Sequence, residues 1–138
     1  MAGYSQTPLI KKLGIKANSE LVIINEPEDF RRLITPLPEG ARIVSRVSKK
    51  TDMIHIFTAG KSHLAGLLRT CLKQMAHHAV VWVSWPKKSS MKESEITEET
   101  IREIALPLGL VDIKVCAVDE VWSGLKLVVR KENRRPLE

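Results

Sequence analysis

Cysteine is scarce in this chain, with only Cys71 and Cys116 in 138 residues. Two distant thiols exclude a disulfide framework and a zinc knuckle. Both sit among apolar neighbours, which predicts buried free thiols in a reducing compartment. No hydrophobic run is long enough to span a bilayer, and the amino terminus lacks the apolar stretch of a secretory signal. A cytoplasmic protein without a membrane partner is therefore expected. Metal-ligand clusters are missing as well. Cys71, His77 and His78 lie near one helix and do not converge on a point, His55 falls in a strand and His63 in a first helical turn, so no metal is expected. There is no repeat and no low-complexity segment.

What is present is an ordinary soluble composition, 43% hydrophobic and 28% charged, at the length of one domain able to bury a core without covalent support. The formal charge of +6 comes as scattered doublets: Lys11-Lys12, Arg31-Arg32, Lys49-Lys50, Lys87-Lys88, Arg130-Lys131 and Arg134-Arg135. Dispersed doublets describe a solvated basic surface at least as well as a nucleic-acid footprint, for which one continuous basic face would be expected.

Along the chain, Thr7 as N-cap, Pro8 and Gly14 bracket a short helix. Leu21 to Ile24 reads as a buried strand. Pro27-Glu28-Asp29-Phe30 opens a helix with Phe30, Leu33 and Ile34 on one side, and "TPLPEG" ends it. Strands are expected at 41–47 and 53–57. A helix with Ser62 as N-cap follows, carrying Leu64, Leu67, Leu68, Cys71, Leu72 and Met75 at helical spacing. The fourth strand is 79–85. Thr97 caps a further helix, with Ile96 and Ile101 at the positions of a hydrophobic staple. Two strands, 110–118 and 125–130, joined by "DEVWSG", close the chain as a hairpin.

Strands alternating with helices predict a three-layer α/β domain. Its six-stranded sheet is mostly parallel, has a C-terminal antiparallel hairpin and carries helices on both faces. The whole chain is expected to be one domain, with an arm at 1–20, a core at 21–131 and a basic tail at 132–138. Right-handed crossovers favour the order second, first, third, fourth, sixth, fifth, with the switch point between the first and third strands.

Two resemblances rest on particular stretches. "DMIHIF", "AVVWVSW" and "LGLVDIKVCAVDEVWSGLKLVV" resemble the carboxyl-terminal half of class I S-adenosylmethionine-dependent methyltransferases. Over nearly all its length, through "GYSQTPLIKKLGIK", "WVSWPKK" and "IKVCAVDEVWSGLKLV", the chain resembles a family of short bacterial proteins of unknown function. The first implies a Rossmann-like fold and an adenosyl cofactor; the second implies no activity. The methyltransferase pattern has a glycine-rich turn after the first strand, where the backbone approaches the cofactor without a Cβ in between. Here that place reads Asn25-Glu26-Pro27-Glu28-Asp29, with a donor removed at Pro27 and three carboxylates around a helix start. The acidic residue that would close the second strand is replaced by Ser45-Arg46-Val47-Ser48. The expected cofactor is therefore none, with S-adenosylmethionine disfavoured.

Ligands of open α/β sheets bind beyond the carboxyl ends of the parallel strands. The loops expected there supply the candidate site: Thr58, Gly60, Lys61 and Ser62; Trp85 and Lys87; and Glu120, Trp122 and Ser123. "TAGKSH" resembles the end of a phosphate-binding loop, but His55 stands where the first glycine is required. What survives is a turn with backbone donors, a cation and a hydroxyl, able to hold one anion or simply to start a helix. Trp85 with Lys87 and Lys88 could stack a base and hold a phosphate, or cover the core with its lysines in water. Asp119, Glu120, Trp122 and Ser123 offer a carboxylate and a hydroxyl, or an ordinary hairpin loop. Trp85 is expected at the rim and Trp82 in the body of the domain, on the opposite face.

The sequence thus points to a non-enzymatic domain that binds a small anionic ligand or a protein partner at the carboxyl edge of its sheet. The alternatives are a divergent methyltransferase, an accessory nucleic-acid binder whose affinity falls steeply with salt, and a homodimer built on the edge strand at 41–47 or 110–118.

Overall fold

The computed structural model describes residues 8–90 and 92–133. Thr7, expected as a cap, and the Arg134-Arg135 pair lie outside them. Six strands form one sheet: β1 (Glu20–Ile24), β2 (Arg42–Ile43), β3 (Met53–Phe57), β4 (Val80–Pro86), β5 (Leu110–Ala117) and β6 (Trp122–Val129). Their order is β2-β1-β3-β4-β6-β5, as the crossover rule predicts. β2, β1, β3 and β4 run parallel, and β6 is antiparallel to both β4 and β5.

Strand alternation sends successive side chains to opposite faces, and both faces are covered. On one, α3 (Lys61–Gln74) and α4 (Glu98–Ala105) bury Leu64, Leu68 and Ile101 against Ile54, Ile56, Val81, Val83, Leu125 and Leu127. On the other, α1 (Leu9–Leu13) and α2 (Phe30–Leu33) bring Leu13 and Phe30 onto Phe57 and Trp82. Trp82 is fully buried and its indole Nε1 donates to the Leu13 carbonyl at 2.9 Å, satisfying the one polar atom of the ring. Thr97 caps α4 by accepting from Thr100 N at 3.2 Å, and Ile96 and Ile101 are both buried.

Several elements differ from expectation. β2 is two residues long instead of seven: after Val44 N donates to the Leu21 carbonyl, Ser45 and Arg46 turn out to solvent. Val44 and Val47 beyond Ile43 stay half-buried, Val47 against the aliphatic core, but the pairing with β1 ends at Ile43. α2 starts only at Phe30, after Pro27-Glu28-Asp29. α3 begins at Lys61 with Gly60 as N-cap, so Ser62 lies inside the helix and is exposed. β6 begins at Trp122 rather than Leu125, which shortens the hairpin loop and turns Trp122, Ser123 and Gly124 into strand residues. Gly124 crosses directly over β4: a Cβ there would stand 3.2 Å from both Ser84 Oγ and the Trp82 ring. Cys71 is buried, and burial pushes its thiol up to about 11; Cys116 is only half-buried, contrary to expectation. No helix among the described residues is long and apolar enough to cross a membrane.

Candidate functional site

The carboxyl ends of β1, β3 and β4 and the β5–β6 turn meet at one edge of the sheet, so the fold brings the three expected loops to the same rim as the Asn25 turn that follows β1. What each loop does there is set by bonds between residues far apart in sequence.

At the switch point between β1 and β3, Asn25 adopts a left-handed conformation (φ 59°) and its Nδ2 donates to the Phe57 carbonyl at 3.2 Å. The side chain thus bridges the ends of the two strands between which a doubly wound sheet ordinarily admits a ligand. Glu26 is not a free repelling charge: Arg31 grips it through two bonds, at 2.9 and 2.7 Å. That fork raises the Arg31 pKa above its ordinary value. The Asn25 bridge and a glycine-free backbone thus stand at this crevice, beside the exposed carboxylates of Glu28 and Asp29.

The Thr58–Ser62 turn is already satisfied. Thr58 is buried; its hydroxyl accepts from Gly60 N at 3.3 Å and bonds His63 Nδ1 at 3.1 Å. Lys61 N, a free donor at the start of α3, donates to a carboxylate oxygen of Glu95 at 2.9 Å. Glu95 N in turn donates to the Ala59 carbonyl at 2.9 Å. A carboxylate of the chain itself therefore sits where an external anion would bind. Sequence reasoning missed Glu95, which lies in a polar loop 34 residues from Lys61 with no local pattern to mark it.

The hairpin loop is likewise committed to structure. One oxygen of Asp119 accepts from both Val121 N and Trp122 N at 2.8 Å, a local turn bond of the kind aspartate favours. Glu120 is exposed. Trp122 lies edge-on to Phe57, ring centroids 5.1 Å apart, on the face of α1 and α2. Trp85 belongs to the face of α3 and α4. The sheet separates the two indoles, so they do not form one apolar cleft, whereas Ser123 is directly opposite Trp85 in the β4–β6 register.

An open concavity lies at this edge. A cleft of about 430 Å³ runs between the end of β4, the segment after it and the first turns of α4. Trp85 and Ile96 give its apolar floor, and Lys88, Lys92, Glu98 and Arg102 its rim. Trp85 is 8% exposed and lines the cleft. Lys87 does not line the cleft; its backbone N donates to the Val121 carbonyl at 2.7 Å and fixes where the loop leaves the sheet. Arg102 donates to Asp112 at 3.0 Å, Glu99 at 3.1 Å and Glu98 at 3.0 Å, which raises its pKa, Asp112 foremost. Its charge is spent on those carboxylates, which leaves Lys88 and Lys92 as the cations turned to the opening. Lys88 and Lys92 were not among the expected site residues, apart from Lys88 as a neighbour of Trp85.

Solved structures share this architecture. A S-adenosylmethionine-dependent methyltransferase from Clostridium acetobutylicum superposes with a TM-score of 0.58 at 7% identity, over 87% of this chain and 86% of that one. A SAM-dependent methyltransferase from Aquifex aeolicus gives 0.57 at 12% identity, over 88% of each chain. The B. subtilis M1A22 tRNA methyltransferase TrmK gives 0.54 at 12% identity, over 91% of this chain and 67% of the enzyme. Identities this low speak for the fold alone. Together with the strand order, they define a Rossmann-like domain of the methyltransferase type. Within that class the chain belongs to the family described as "Protein of unknown function (DUF3052)", whose model matches residues 30–131. No curated protein matches the sequence.

Proposed function

We propose that this chain is a non-enzymatic binding domain on a methyltransferase-type scaffold. It takes a small anionic ligand with an apolar part in the cleft beside Trp85. One observation carries the reading: Asn25 bridges the switch-point crevice while the Trp85 cleft beside it stays open. Trp85 and Ile96 contribute apolar contact, Lys88 and Lys92 contribute charge, and Ser94 and Thr97 contribute hydroxyls at the rim. The site has an anchored wall, since Glu95 ties the far end of the loop to α3.

The second reading, a divergent methyltransferase, is favoured by the fold of its structural neighbours. It requires the Asn25–Phe57 bridge to open for an adenosyl cofactor. Calorimetric titration separates the two. S-adenosylmethionine and S-adenosylhomocysteine should give no heat with the wild-type chain. A panel of aromatic carboxylates and phosphates should give heat that Trp85→Ala abolishes. Micromolar binding of either adenosyl compound, unaffected by Trp85→Ala, would overturn the binding-domain reading and put the enzyme in its place. Silence towards every anion would leave a protein partner at this edge.

A further inference from the structure

The opposite end of the sheet, towards the amino ends of β1, β3 and β4, carries a concentration of positive charge. Lys114 on β5 and Lys126 on β6 are direct cross-strand partners. Like charges placed opposite each other destabilise a sheet. Lys16, on the connection from α1 to β1, adds a third ammonium close enough to act on Lys126, whose pKa is lowered first by burial and then by Lys114 and Lys16.

Part of this has a structural explanation. Lys114 Nζ donates to the Lys12 carbonyl at 3.0 Å, near the end of α1, where a cation is welcome. Lys126 has no such role: its ammonium stands beside Gly14, 3.6 Å from where a Cβ would be, and no acceptor within the described residues holds it. The acids of the neighbourhood are engaged elsewhere. Glu20 holds Arg42 at 2.9 Å. Asp52 accepts from His78 through one oxygen and from Glu20 N through the other, both at 2.9 Å. Lys16 and Lys126 instead face a cleft of about 390 Å³, with Ser19, His78 and Asp52 among its other walls.

We infer that this cleft is a second anion site, distinct from the Trp85 cleft, and that it takes the phosphate group of a small phosphorylated molecule between Lys16 and Lys126. A dianion there would neutralise the Lys114–Lys126 repulsion, so the sheet edge gains stability when the site is filled. Ser19 supplies a hydroxyl at the cleft wall. Asp52 is the unfavourable neighbour, held back by its two bonds.

The test is thermal unfolding and calorimetry of the full chain with pyrophosphate, with phosphate-free sulfonate buffer as reference. Pyrophosphate should raise the melting temperature of wild type and bind about tenfold or more weakly to Lys126→Met, which loses one charge-assisted contact. Without anion, Lys126→Met should melt higher than wild type, because a like-charge pair has gone. Trp85→Ala should retain the pyrophosphate shift, which keeps this site separate from the one proposed above. A lower melting temperature for Lys126→Met with an unchanged pyrophosphate response would overturn the inference and leave Lys126 as a structural residue. Loss of the response in Trp85→Ala alone would overturn it too. Binding only to a single-stranded oligonucleotide, with no response to pyrophosphate, would replace the small ligand by a nucleic acid.

Discussion

The two faces of the sheet are built from the same strands and solve different problems. Under α3 and α4 the core is aliphatic: Ile54, Ile56, Val81, Val83, Leu125 and Leu127 meet Leu64, Leu68 and Ile101. Here a fourteen-residue helix brings most of its own apolar surface. Under α1 and α2 the core is aromatic and partly polar. Phe30, Phe57 and Trp82 surround a buried His55, whose ring stacks on Phe57 with centroids 4.2 Å apart. His55 Nε2 shares a 2.6 Å bond with Ser84 Oγ, and its Nδ1 has no partner among the described residues. The helices there have five and four residues, too short to persist in water by themselves. One face is held by volume; the other needs particular atoms in particular places.

Truncation should show this contrast most strongly. Trp82→Ala empties a fully buried site and frees the Leu13 carbonyl, and should cost about 4 kcal/mol in denaturant unfolding. Leu68→Ala on the aliphatic face should cost about 3 kcal/mol. The faces separate on conservative change: Trp82→Phe should still lose about 2 kcal/mol or more through the missing hydrogen bond and ring volume, whereas Leu68→Met should lose less than about 1.5 kcal/mol. Equal costs for the two conservative variants would remove the distinction.

On the aromatic face acid should act through His55. Burial pushes the His55 pKa down to about 3, against an ordinary value of 6.5. The unfolded chain therefore binds a proton below pH 6.5 that the folded chain refuses. The contribution of neutral His55 is complete above pH 6.5 and is lost progressively as pH falls towards 3. By pH 5 the loss should be on the order of 2 kcal/mol. Unfolding at pH 7 and pH 5 should show it in wild type and not in His55→Phe; equal slopes in the two proteins would place the titration elsewhere.

The smallest effect belongs to the edge of the aliphatic face. Thr97→Ala removes the α4 cap and should cost about 1 kcal/mol, with Thr97→Ser close to wild type in the same assay.

What could be read from the sequence follows from how far each determinant lies from its partner. The placement of Trp82 and Trp85 on opposite faces needs only the two-residue period of a strand, and Thr97 with Ile96 and Ile101 needs only the first turns of one helix. Strand order follows from connection lengths and handedness. The rim of the sheet obeys no such local rule. Asn25 meets Phe57 across 32 residues and Lys61 meets Glu95 across 34, so the bridged crevice and the filled α3 turn leave no mark on nearby spacing. The expected joint use of Trp85 and Trp122 went astray for a different reason. β6 starts three residues earlier than its apolar run suggests, because Gly124 and Ser123 pair with β4 although neither is a strong strand former.

The bond from the Trp82 indole to the Leu13 carbonyl also has a bearing on biosynthesis. It joins residues 69 positions apart, and the amino-terminal one is made first. At ordinary ribosomal speeds of ~5–20 residues per second, α1 waits roughly 3–14 s for its partner to be polymerised. A five-residue helix cannot hold itself together for that time. The nascent α1 segment therefore travels open, with Leu13 and Ile15 uncovered, until β4 has cleared the ribosome.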